Sequence, residues 1–358
     1  MVLDQKRWSA HSGSGMSCCP KWRSFSISGS CSQHLFFPSS VSLQAGLFLN
    51  GFIMKFYFDG ARQHAPSSLM VYLKNLTAAD FLLCLSLPLR ITHYVSSSVI
   101  IQTLYCSFGA SAFFLNMYAS IIFMGYIAAN SQNQMNGYLK ILHRSGTHIL
   151  QTVRAAHIIS LVTWVFLLAP TVAYTILFFI TQEPLTPSPS RCGLLFSASV
   201  IIFFKIIHTS CTIIFLLVLV PLIFFYHSTS RRVLLAQQRQ LASSGSERLV
   251  KSRRNMSLLV SVFCVCFVPY HLVRLPSAFL WTSCSVGQVW YYLKEVATVV
   301  SVFNVCLDPL VYFFLCKTFR AQVSLKMWPR RTNSQQSEME SSKKQQNAVT
   351  AMSQTSEL

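Results

Sequence analysis

The sequence predicts an all-α membrane protein, a seven-transmembrane-helix bundle followed by a short amphipathic eighth helix. Three observations carry this. Of 358 residues, 52% are hydrophobic and only 11% are charged, whereas soluble domains carry about 25% charged residues. The apolar residues gather into seven stretches, each near the roughly 20 residues needed to cross a bilayer. The net charge of +19 is concentrated between those stretches rather than within them.

The candidate spans lie at about 35–58, 71–94, 103–128, 155–180, 200–226, 256–281 and 291–315. In hydrocarbon every backbone polar group must be bonded within its own segment, so each is read as a helix. The first span is weak in its outer half, Pro38-Ser39-Ser40-Val41-Ser42. Residues 1–34 form an N-terminal segment rich in Ser, Gly and Cys, without the apolar run and cleavage site of a signal peptide. The helical body is 35–316, the membrane-surface helix 317–328, and the Ser-, Gln- and Lys-rich tail 329–358. The tail composition predicts disorder.

Basic residues set the orientation. The odd-numbered gaps and the C-terminal segment hold Arg62, Lys74, Lys140, Arg144, Arg154, the run from Arg231 to Arg254, and Lys317, Arg320, Lys326, Arg330 and Arg331. The even gaps are nearly free of Lys and Arg. This places the C-terminus in the cytoplasm and the N-terminus outside, although Lys6, Arg7, Lys21 and Arg23 oppose it. The same topology accounts for the basic excess without a nucleic-acid partner. Twelve Cys occur without CxxC pairs or metal-ligand spacing, and no nucleophile-base-acid set is present, so enzyme chemistry is not expected. A transporter or channel would predict internal repeats and broken helices, which the sequence lacks.

Ionisable residues inside spans are costly and point to function. An outer, basic set comprises His271, Arg274, Lys294, Lys205 and His208. His271 and Arg274 are three residues apart and share a helix face. A pocket lined by such a face suits an anion, most naturally a phosphate, through charge-assisted hydrogen bonds. The competing reading is that Arg274 and Lys294 snorkel to the interface, with Glu295 neutralising one of them. An inner set comprises Asp80, Asn116, Ser120, Asn304 and Asp308. These oxygen donors suit a small hard cation such as Na+, or form an interhelical hydrogen-bond network with no ion. Five prolines within spans (Pro88, Pro170, Pro221, Pro269 and Pro309) are tolerated in lipid and fit a protein that changes shape.

The motifs along the spans resemble those of the rhodopsin-like (class A) G-protein-coupled receptors. Gly46-Leu47-Phe48-Leu49-Asn50 lies on the first span, Asn75-Leu76-Thr77-Ala78-Ala79-Asp80 on the second, Cys106 opens the third and Trp164 lies on the fourth. The sixth carries Phe263-Cys264-Val265-Cys266-Phe267-Val268-Pro269-Tyr270-His271, and the seventh Asn304-Val305-Cys306-Leu307-Asp308-Pro309-Leu310-Val311-Tyr312. The likeness covers about 46–328. Within that family the chain resembles the nucleotide-receptor (purinoceptor) branch for ADP and UDP-sugars, through His271-Leu272-Val273-Arg274, Lys294-Glu295, and Cys306-Leu307-Asp308-Pro309 with the run Tyr312 to Arg320.

The resemblance implies phosphate anchoring by Arg274 and Lys294, with His271, Tyr270, His208 and Lys205 nearby and Tyr118 and Phe114 flanking a base or sugar. It implies a conformational switch at Phe267, Pro269, Pro309 and Tyr312. It implies a disulfide between Cys106 and Cys192, and a second joining Cys284 to Cys18, Cys19 or Cys31. The implied partners are an extracellular phosphorylated small molecule, a heterotrimeric and inhibitory G protein, and arrestin on the tail, in the plasma membrane. Ser356-Glu357-Leu358 resembles a PDZ-binding terminus. A lysophospholipid of the lysophosphatidylserine type is the alternative ligand.

The sequence departs from the family most at the inner end of the third span. There an acidic-or-Asn, Arg, aromatic triplet is expected. Instead the chain reads Ala129-Asn130-Ser131-Gln132-Asn133-Gln134-Met135-Asn136-Gly137-Tyr138, without the Arg, which allows a non-signalling seven-helix protein as a further alternative. The fifth span has Tyr226 rather than a Tyr eight residues beyond Pro221, and Ser277 stands where relatives place an aromatic. The sequons at Asn75 and Asn255 fall on the inner side.

Overall fold

The computed structural model describes residues 29–60, 67–96, 98–139, 152–181, 198–238, 244–279, 284–316 and 319–320. Seven helices follow one another. Helix α1 is Gly29–Gly60, α2 is Ser68–Val95, and α3 starts as Val99–Leu104, passes through a π turn at Tyr105–Gly109 and continues as Ala110–Leu139. Helix α4 is Val153–Thr181, α5 is Ala198–Gln238 and α6 is Ser244–Phe279. Helix α7 runs as Cys284–Val302 and, after a break at Phe303, as Asn304–Leu315. Neighbours pack in the order α1–α2–α3, α5–α6–α7, with α1 against α7; α3 is central, touching α2, α4, α5 and α6.

Six of these helices are long and apolar enough to cross a membrane: Ser68–His93, Val99–Gln132, Val153–Thr181, Ala198–Leu235, Leu249–Arg274 and Tyr292–Leu315. Helix α1, the weak first span, is not among them, and it begins before the expected residue 35. Three of its polar residues, Ser39, Ser42 and Asn50, are buried, and Ser42 Oγ donates to Pro38 O at 2.8 Å. Helices α5 and α6 run past the expected spans into their basic, polar ends. Helix α3 likewise continues through the polar residues after Asn130 to Leu139, past the expected end near 128.

The outer surface explains the composition. Leu161, Val165, Phe166, Leu217, Val220 and Phe224 on α4 and α5 are all exposed. In water such a surface would mark an association or aggregation site; in hydrocarbon it is the solvent-matched face.

Side-chain hydrogen bonds pin the helices from inside. Trp164 Nε1 donates to Asn75 Oδ1 at 2.8 Å, joining α4 to α2. Tyr174 Oη donates to Cys106 O at 2.8 Å at the π turn, joining α4 to α3. Pro309 has no N–H to give to the carbonyl four residues earlier, and that carbonyl, Val305 O, accepts instead from Asn50 Nδ2 at 2.9 Å. This brings α1 against α7 so closely that a Cβ on Gly46 would overlap Val305 Cγ1 and lie 2.8 Å from Cys84 Sγ. Only glycine fits there.

The chain forms two compact units, Met1–Val311 and Tyr312–Leu358. In the second, Cys316 N–H donates to Tyr312 O at 2.8 Å and Arg320 N–H to Cys316 O at 3.2 Å, extending helical pairing past Leu315. Most of the predicted membrane-surface helix 317–328, the tail 329–358 and the N-terminal 28 residues lie outside the described residues.

Candidate functional site: a basic, aromatic cluster in the outer half of the helices

The outer basic set is assembled from α2, α3, α5, α6 and α7. On α6, His271 Nδ1 lies 2.8 Å from Phe267 O and Nε2 lies 3.0 Å from Tyr118 Oη. A carbonyl only accepts, so Nδ1 carries the hydrogen, and in the neutral ring Nε2 accepts from Tyr118 on α3. The ring is held flat against Phe215 of α5, with centroids 3.8 Å apart and planes at 7°. Phe215 in turn stacks on Phe263, which meets Phe267 edge-on. The outer pocket is thereby joined by rings to the expected switch residue Phe267.

One turn outward, Arg274 Nη2 donates to His208 Nε2 on α5 at 3.1 Å. The guanidinium only donates, so His208 is neutral at that nitrogen. Arg274 also lies over the rings of Phe204 (5.0 Å) and Phe114 (5.8 Å), cation–π geometry that steadies a partly desolvated charge. Phe114 packs edge-on against His208 and Tyr270. The expected set Arg274, His271, His208, Tyr118, Phe114 and Tyr270 thus forms one cluster. Lys205 is half-buried on α5, and no contact ties its ammonium to the cluster among the described residues.

Helix α7 adds a second locus. Lys294 Nζ lies 3.0 Å from Glu295 Oε1, and Arg90 Nη2 on α2 lies 3.2 Å from Glu295 Oε2. Arg90 sits over Phe113 at 5.4 Å. The two oxygens of Glu295 are engaged by Lys294 and Arg90. Sequence reasoning missed Arg90, although an Arg within Leu87-Pro88-Leu89-Arg90-Ile91, inside an apolar span, was a visible signal. Three cations (Arg90, Lys294 and Arg274) thus stand near one carboxylate (Glu295).

The inner set is also brought together. Asp80 of α2 lies beside Asp308 of α7 with Ser120 of α3 at its edge. Asp80, Asn116, Ser120, Asn304 and Asp308 are all buried to 1% exposure or less. All four carboxylate oxygens, Asn116 Oδ1 and both amide atoms of Asn304 have no hydrogen-bond partner among the described residues. Two adjacent buried carboxylates require a proton or a cation between them. A set of carboxylate and amide oxygens fits a small hard cation, and among the described residues no group of three His, Cys, Asp or Glu forms a transition-metal site.

Of the switch residues, Phe267 is fully buried and Pro269 and Pro309 lie within α6 and α7; Tyr312 opens the second unit. Cys106 is buried and disulfide-bonded. Cys192 and the side chain of Cys284 lie outside the described residues, as do Cys18, Cys19 and the side chain of Cys31.

Residues 50–312 match the family model for the 7 transmembrane receptor (rhodopsin family). Among curated relatives, purinoceptor 14 of Bos taurus is 31% identical over 297 residues, covering 80% of this chain and 83% of the relative. Purinoceptor 13 of Homo sapiens is 28% identical, covering 86% of this chain and 85% of the relative. The platelet-activating factor receptor of Mus musculus is 26% identical, covering 82% and 85%. These relatives are receptors, not enzymes. The motifs, the seven-helix order and these matches agree: the chain belongs to the rhodopsin family of seven-transmembrane receptors, plasma-membrane proteins that take extracellular ligands and signal to G proteins, and within it to the purinoceptor-like branch.

Proposed function

We propose that the chain is a receptor for an extracellular phosphorylated small molecule, a nucleotide or nucleotide sugar, bound in the outer cluster and signalling through an inhibitory G protein. The observation that carries this is the gathering of Arg90, Lys294 and Arg274, from three helices, among aromatic rings. In this reading Arg274 and Lys294 anchor phosphate oxygens, Arg90 supplies a third cation, and Phe114 and Tyr118 bound the space for a base or sugar. Ligand binding would favour the arrangement with the inner end of α6 moved outward, a population shift. His271, stacked on Phe215 and bonded to both Tyr118 and Phe267 O, is the link from pocket to helix core.

The inner carboxylate pair would hold Na+ between Asp80 and Asp308, with Asn116, Ser120 and Asn304 completing the oxygen set; the ion would neutralise charge that the bundle cannot hydrate. The positive-inside pattern supports an N-terminus outside and a cytoplasmic C-terminus. The tail 329–358 would carry arrestin phosphosites, and Ser356-Glu357-Leu358 a PDZ contact. Cys106 would pair with Cys192.

A second ligand class draws on a specific observation, the likeness to the platelet-activating factor receptor. A lysophospholipid such as lysophosphatidylserine has a phosphate headgroup that would use the same cations. The test is G-protein activation in cells shown to display the chain on their surface, challenged with ADP, UDP-glucose and lysophosphatidylserine. A response to one of them, lost in Arg274→Ala, is expected. Silence with all three from a displayed chain would overturn the reading in favour of a non-signalling seven-helix protein.

A further inference from the structure

The inner end of α3 is held to its neighbours by neutral side chains. Thr229 Oγ1 on α5 donates to Gln132 Oε1 on α3 at 2.8 Å, and Ser68 Oγ on α2 donates to Asn130 Oδ1 at 3.3 Å. Thr229 and Asn130 are fully buried, and Gln132 and Ser68 nearly so. Ser131, between them, turns its hydroxyl back to Ile127 O at 2.8 Å. Residues 129–139 of α3 include no charged side chain, and among the described residues the polar link from this end of α3 to α5 is a hydrogen bond shielded from water.

The same region carries atoms the closed arrangement leaves unmet. Asn130 Nδ2, Ser230 Oγ on α5 and Asn255 Oδ1 on α6 are buried with no hydrogen-bond partner among the described residues. An unmet buried polar atom destabilises the arrangement that buries it. Separating the inner ends of α3 and α5 would break Thr229–Gln132 and open this end of α3, with its unmet Asn130 Nδ2, to water. One bond thus opposes an unmet buried group, which is the composition of a two-state element.

We propose that the Thr229–Gln132 hydrogen bond is a latch that keeps the inner ends of α3 and α5 together when no ligand is bound, a task done here without ionic groups. The latch gives the receptor reading its closed state, and Gln132 acts as a positioning residue rather than a ligand contact.

The experiment is amide hydrogen exchange by mass spectrometry on the full chain in lipid nanodiscs, with neither ligand nor G protein present. Its outcome is therefore independent of whether the ligand or coupling proposal holds. Gln132→Leu and Thr229→Val are each expected to speed exchange of the inner ends of α5 and α6 (about 226–235 and 249–259) roughly fivefold. The double variant should go no further, since both changes remove the same bond. Thr229→Ser keeps the hydroxyl and should exchange like the unaltered chain, and amides near Arg274 and Lys294 should not change in any variant. Unchanged rates in both single variants, additive effects in the double, or a uniform rise along the whole chain would overturn the latch.

Discussion

Arg90 and Glu295, 205 positions apart, form a buried ion pair at 3.2 Å, and the same carboxylate holds Lys294 through its other oxygen. Two cations share one anion there. Removing Arg90 takes a charge-assisted hydrogen bond from Glu295 Oε2, a loss of about 1.5–3 kcal/mol, while Lys294 still balances the carboxylate. Arg90→Ala is therefore expected to lower the thermal midpoint of the purified chain in detergent. The swap Arg90→Glu with Glu295→Arg should recover at least half of that loss. A swap as unstable as the single variant would show that the pair does not matter.

Arg274 is placed by His208 and two aromatic faces. Arg274→Ala should reduce potency of the activating phosphorylated ligand at least tenfold, as expected for loss of a charge-assisted contact, at unchanged surface expression. Arg274→Lys should recover only part, because an ammonium cannot spread over both rings as guanidinium does. Concentration–response curves normalised to surface-labelled receptor decide this.

Tyr118 and His271 are coupled through a single hydrogen bond. Tyr118→Phe and His271→Phe should each weaken ligand response, and the double variant should fall short of the sum by about 1 kcal/mol. Strict additivity in this cycle would dissociate the two residues.

Asn50 takes the carbonyl that Pro309 leaves without its helical donor. Asn50→Leu should destabilise the bundle by about 1–3 kcal/mol, since Val305 O is then buried and unmet. In a Pro309→Ala background, where the residue-309 N–H can serve Val305 O, the same change should have a smaller effect. Thermal denaturation of the four chains measures the difference.

The acid pair Asp80–Asp308 predicts a cation dependence. Replacing Na+ with N-methylglucamine at constant ionic strength should lower the thermal midpoint of the unaltered chain. Asp80→Asn should abolish the sensitivity, because a neutral amide removes the charge that the ion balances. Equal midpoints in both salts for the unaltered chain would exclude an ion-stabilised pair.

Much of this molecule was legible in one dimension, because lipid imposes strict conditions on sequence. Apolar runs near 20 residues, basic gaps and ionisable residues inside spans each have one dominant physical cause, and they identified the seven helices and both polar sets. Helix ends were less legible. Polar residues after Asn130 and Tyr226 extend α3 and α5, since a helix leaving the bilayer needs no apolar signal to continue. The first helix was nearly hidden, because Ser39, Ser42 and Asn50 lower its apolar signal while lying buried against the bundle.

What the sequence by itself determined was the class of solvent, the family and the residue types available for an anion. The tertiary structure alone decided which charges meet. Glu295 could neutralise several cations from its position in the chain; the packing of the helices gave it Arg90 and Lys294, and set Arg274 against His208. Pairing across helices depends on helix rotation and depth to within an ångström or so, and no one-dimensional pattern encodes that. The Thr229–Gln132 bond has the same origin: neither residue is unusual where it stands, and only the approach of α5 to α3 makes them a pair.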